Sequence, residues 1–109
     1  MQSKPRLHII SPWHVVLNPD LQSTCAFGMK AFKLSAMMQP LGYECFEYSN
    51  EGSTSPCVNK VVMFTAEEHA KYFPPLPPTR AQGEYAVLGT EAWNLFDCRL
   101  RAALSKNLS

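Results

Sequence analysis

Three short runs of apolar and aromatic residues, at 7–10, 43–48 and 61–64, constrain this chain most. Each has the length of a buried strand and falls short of a buried helix. Leu7-His8-Ile9-Ile10 is stopped by Ser11-Pro12, and Val61-Val62-Met63-Phe64 has no polar break. Such runs lying between helices imply a sheet covered on both faces and therefore mainly parallel. Between the first two runs, apolar residues recur at Cys25, Met29, Phe32 and Ala36, with Leu34, Met37 and Met38 beside them. That spacing predicts a helix with a broad buried face, capped by Ser23 or Thr24. Pro40 and Gly42 predict its end within residues 38–41, with Gly42 as a left-handed stop. The expected fold is α/β: a partial Rossmann-like, three-layer domain with a small, mainly parallel sheet, its second strand central or next to the first.

The remaining elements follow from local chemistry. Tyr43-Glu44-Cys45-Phe46-Glu47-Tyr48 suits a strand, with Glu44 and Glu47 expected near its solvent-accessible ends. Residues 50–56 form a loop, and Thr65-Ala66-Glu67-Glu68 is a capping box opening a short helix that runs to about Tyr72. The proline-rich stretch at 73–78 cannot continue a helix; it reads as a stiff connector or as a ligand for a proline-recognising domain. From Thr90, the pattern Trp93, Phe96, Leu100, Leu104 predicts a last amphipathic helix, with Asp97, Arg99, Arg101 and Lys106 available to solvent.

Composition narrows the function classes. The 109 residues suffice for one core, and 46% hydrophobic with 17% charged residues is a globular balance. Ten basic residues are scattered against nine acidic ones, net +1, without the clustered footprint of a nucleic-acid binder. No apolar run has the length of a membrane span, and the first breaks at Ser11-Pro12 before it could form a signal-peptide core, so a cytoplasmic protein is expected. The four cysteines lack C-x-x-C spacing and nearby histidines, which predicts free thiols and no metal site.

In open α/β sheets, ligands bind beyond the carboxyl ends of the strands. The loop after the first strand would bring His14, Asn18, Asp20 and the amides near residues 23–25 to that edge, and the loop after the second would bring Asn50, Glu51 and Ser53. Helix-start amides suit a phosphate or carboxylate, with Lys30 less than two turns on, either serving that anion or lying on a solvated face. His14 can act as a general base near neutral pH or be structural; Glu51 can accept a hydroxyl proton in a hydrogen bond or sit in solvent. G-x-G-x-x-G, P-loop, G-x-S-x-G and H-E-x-x-H motifs are all missing, which removes the main support for dehydrogenase, NTPase, α/β-hydrolase and zinc-protease readings.

Three segments in register carry a resemblance: Thr24-Cys25-Ala26-Phe27-Gly28-Met29-Lys30, then Met37-Met38-Gln39-Pro40-Leu41-Gly42-Tyr43-Glu44, then Tyr48-Ser49-Asn50-Glu51-Gly52-Ser53. Together they resemble the amino-terminal domain of bacterial and phage glycosyltransferases of the two-domain GT-B type, from about Leu7 to Phe73 and more loosely through the last helix. Gly28 stands where that group usually has a polar residue, and Tyr43 where histidine is common. The resemblance implies an acceptor-binding half, with a nucleotide-sugar donor held by a second, carboxy-terminal domain and no bound metal or other cofactor in this half. It implies that His14 is the catalytic residue and that Thr24, Lys30, Asn50 and Glu51 line the substrate side of the cleft. On this reading residues 1–109 are a single, incomplete amino-terminal domain, inactive alone, whose open first-strand edge invites self-association. The alternative is a stand-alone, non-catalytic binding or regulatory module derived from such a half.

Overall fold

A computed structural model describes residues 4–12, 16–18, 26–73 and 90–108 of the chain. Strand β1, Arg6–Ile10, leads by way of helix α1, Ala26–Met38, to strand β2, Glu44–Ser49. Strand β3, Asn59–Val62, is followed by helix α2, Ala66–Tyr72, and helix α3, Glu91–Asn107. The sheet has the order β1-β2-β3 and both pairings are parallel, with Leu7 opposite Cys45 and Tyr48 opposite Val61. The expected α/β architecture with a central second strand is therefore present. The predicted helix start at residues 23–24 lies outside the described residues.

Strand alternation sorts the core onto two faces. Ile9 and Cys45 face α1 in a cluster with Leu17, Ala31 and Cys57. Tyr48 joins Met63, Phe64, Phe73, Ala92 and Phe96 in a cluster packed against α3. The α1 stripe differs from the expected one: Gly28, Ala31 and Ser35 are buried, whereas Ala36 and Met37 are exposed. Small side chains at that spacing let the helix axis lie close to β1. Helix α1 gives way to a 3₁₀ turn, Gln39–Leu41, which Gly42 ends at φ 96° by donating its amide to the Gln39 carbonyl.

Helix α2 starts with the predicted capping box: Thr65 Oγ1 accepts from the Glu68 amide at 3.2 Å, and the Glu68 carboxylate accepts from the Thr65 amide at 3.0 Å. Thr90 caps α3 by accepting from the Trp93 amide. The apolar side of α3 is as expected, but Arg99 is only partly exposed and is engaged on its inner side. Its guanidinium donates to both Glu68 oxygens, at 2.8 and 2.6 Å, and to the Met63 carbonyl at 2.7 Å. It also lies over the Phe64 ring. Arg99 thus ties α3 to the exit of β3 and to the first turn of α2. At the other end of α3, Arg6 donates to the Asn107 carbonyl at 2.8 Å.

Strand β3 begins two residues earlier than the sequence pattern suggested. Met63 and Phe64, both buried, continue the pairing beyond it, with Met63 N donating to Ser49 O and Glu51 N to Phe64 O. Asn59 and Lys60 can join the strand because, among the described residues, β3 pairs on one side only, and an edge tolerates polar side chains.

Candidate functional site

The parallel join from β2 to β3 creates the candidate site. Parallel strands ordinarily need a crossover of about a dozen residues or more, usually a helix. Here residues 50–58 suffice without one. The segment leaves the carboxyl end of β2 through Gly52, at φ 104°, where a Cβ would approach Val16 Cγ1 to 3.1 Å. Thr54 then donates its amide to the Leu17 carbonyl at 2.9 Å. The loop after β1 and the loop after β2 therefore meet at the carboxyl edge of the sheet, where the sequence placed a binding surface.

Asn50 and Glu51 both lie at this edge, held by hydrogen bonds within the fold. Asn50 is buried, and its Oδ1 accepts from the Phe64 amide at 3.2 Å, closing the end of the sheet. Glu51 is exposed; its Oε1 accepts from the Ala66 amide at 2.6 Å, satisfying an orphan donor at the start of α2. Among the described residues, no hydrogen bond reaches Glu51 Oε2. A carboxylate with one oxygen pinned and the other accessible is a pre-positioned acceptor for a ligand hydroxyl. Lys30 is exposed on α1. His14, Thr24 and Asp20, and with them the expected meeting of His14 and Glu51, lie outside the described residues.

The residue that the sequence pattern misplaced is Glu47. Far from lying near a solvent-accessible end of β2, it is 0% exposed. Ser49 Oγ and Ser53 Oγ each donate to its Oε2 at 2.7 Å, and Ser55 Oγ donates to Oε1. Strand alternation puts Glu47 on the α1 face between Cys45 and Ser49, and the crossover segment supplies the other two hydroxyls. Taking a carboxylate out of water costs several kcal/mol, and hydrogen bonds to a charged group return about 1.5–3 kcal/mol each, so the burial depends on all three serines. The hydroxyl-dense run Ser49, Ser53, Ser55 was the available signal. Glu44, by contrast, is half-exposed and pairs with Arg6 at 3.0 Å, as expected for a strand end.

A cleft of about 250 Å³ opens at the opposite end of the sheet, lined by residues that include Lys4, Tyr43, Glu44, Val58 and Asn59. It lies at the amino ends of β2 and β3, away from the edge where open α/β sheets bind ligands. The described residues contain no group of three or more histidine, cysteine, aspartate or glutamate side chains able to hold a metal ion. No helix among them is long and apolar enough to cross a membrane. The fold and the edge together define an α/β chain of Rossmann-like type. Comparison with protein-family models, with curated proteins and with solved structures returns no match.

Proposed function

We propose that this chain is the acceptor-side part of a glycosyltransferase that moves a sugar from a nucleotide-sugar to a hydroxyl acceptor, and that it does not turn over alone. The observation that carries the reading is Glu51, exposed at the carboxyl edge of a parallel sheet with one carboxylate oxygen fixed by the start of α2. The second oxygen would accept a hydrogen bond from an acceptor hydroxyl and orient it. Lys30 and the chain around Thr24 would hold an anionic group of the ligand. His14 would take the proton of the attacking hydroxyl. The motifs spanning Thr24–Lys30, Met37–Glu44 and Tyr48–Ser53 support the sugar-transfer part of this reading, and the exposed Glu51 carboxylate supports the choice of edge.

The test is a panel of sugars and glycosylated acceptors titrated into the ¹⁵N-labelled chain, followed by amide chemical shifts. Shifts are expected at Asn50, Glu51 and Gly52 and at the first turn of α2, and Glu51→Gln is expected to weaken them. The same chain given nucleotide-sugars is expected to transfer nothing above a His14→Ala control. Acceptor shifts confined to the cleft by Tyr43 and Val58 would sink the carboxyl-edge assignment, and turnover by the chain alone would sink the half-enzyme reading.

A further inference from the structure

Between Asn50 and Cys57 the crossover segment buries no apolar side chain: Glu51, Gly52, Thr54 and Pro56 are exposed, and the inward positions are Ser53 and Ser55. Both serines end on the Glu47 carboxylate. Apart from the Thr54 amide on the carbonyl of buried Leu17, the other tethers of residues 51–58 to the strands and to the end of α1 include groups open to water. Lys60 Nζ donates to the Ser53 carbonyl at 3.3 Å, and the Gln39 side-chain amide bridges the Pro56 carbonyl and the Val58 amide at 3.1 and 2.9 Å. A segment whose apolar burial is confined to one small side chain at its end, Cys57, is the kind that opens locally while its scaffold stays folded.

We propose that the Glu47 carboxylate is a latch for this segment: steadied by Ser49 on its own strand, it accepts the Ser53 and Ser55 hydroxyls and so holds residues 51–58 closed on the sheet. Releasing it lets them open and uncover Cys57 while β2 and α3 remain in place. The latch is separate from sugar transfer and stands or falls without it. Its consequence reaches the carboxyl edge, because the segment it holds begins at the Glu51 carboxylate that caps α2.

Three thiols make the latch measurable in the full chain. Cys98 is exposed and reports the intrinsic labelling rate. Cys57 is buried in the crossover segment and donates to the Cys45 carbonyl at 3.3 Å; Cys45 is buried on the central strand. Burial pushes both buried thiols above their ordinary range, so each reacts slowly while covered. Pulsed alkylation with N-ethylmaleimide at neutral pH, read by peptide mass spectrometry, follows each cysteine separately. In Glu47→Gln, which keeps the shape and removes the charge, Cys57 is expected to label about tenfold faster or more than in the parent chain, with Cys45 unchanged. Ser53→Ala, which removes one of three donors, is expected to give a smaller rise at Cys57 alone, and it carries the test should Glu47→Gln not fold. An unchanged Cys57 rate in the folded variants, or Cys57 and Cys45 rising together, overturns the proposal, since the first denies the latch and the second describes global unfolding.

Discussion

Arg99 and Glu68 form the contact on which two elements depend, and its chemistry has a defined pH range. The bidentate Arg99 guanidinium, helped by the Thr65 amide, holds the Glu68 carboxyl at about 2, against an ordinary value of 4.5. Folding thus favours the ionised form, and the unfolded chain binds the proton more readily between those values. The stability this pair contributes is fully present above the ordinary value and is lost as pH falls through about 2. Arg99→Ala is expected to return the Glu68 carboxyl toward its ordinary range and to flatten that part of the stability profile. A ¹³C NMR titration of Glu68, paired with urea unfolding at several acid pH values, checks both; a Glu68 carboxyl still depressed in the variant would assign the effect to Thr65 instead. The sequence placed Arg99 in solvent because arginine usually is solvated. Its position three residues after Phe96 puts it on the border of the buried stripe, where a long side chain can reach across to a neighbouring helix.

At the scale of elements, α2 is the most dependent on its ends. Seven residues are too few for a helix to persist by its own hydrogen bonds, so the caps and the Arg99 contact carry it. Thr65→Ala is expected to cost about 0.5–2 kcal/mol in urea unfolding, with Thr65→Ser recovering most of the loss. An unchanged midpoint would mean that Glu51, on the Ala66 amide, suffices as the cap. The boundaries legible in the sequence were those set by such local chemistry: Thr65 with Glu68, Thr90 at the last helix, and Gly42 at the left-handed stop. The three strands and their parallel order were legible as well, because continuous apolar runs between helices leave few other arrangements. The faces of β2 were not. Phe46 and Tyr48 alternate with Cys45, Glu47 and Ser49, so one face is aromatic and the other polar, and a carboxylate on the second has no reason to be buried until the Ser53 and Ser55 hydroxyls join that of Ser49. The site was legible to the same extent: the convergence of two loops follows from topology, whereas the engagement of Asn50 and Glu51 with β3 and α2 depends on tertiary contacts.

For the whole molecule, the sheet has two outer strands, and they differ in a way that bears on association. Among the described residues, β1 and β3 each pair only with β2. Strand β3 carries Asn59 and Lys60, and a charged or polar edge discourages pairing with another chain. In β1 the one charged side chain, Arg6, is occupied by Glu44 and the Asn107 carbonyl, while Ile10 is 47% exposed at the other end of the strand. Val62 at the end of β3 is equally open, at 50%, but follows Lys60. The β1 edge is therefore the one expected to pair with a second copy as concentration rises. Ile10→Lys would place a charge on that edge without touching either core cluster, and Val62→Lys would do the same where a lysine already stands. Sedimentation velocity over a concentration series is expected to show reversible self-association of the parent chain, suppressed by Ile10→Lys and nearly unaffected by Val62→Lys. A parent chain that sediments as a monomer throughout would show that the β1 edge does not recruit a partner copy, and equal suppression by both variants would place the contact on general charge rather than on β1.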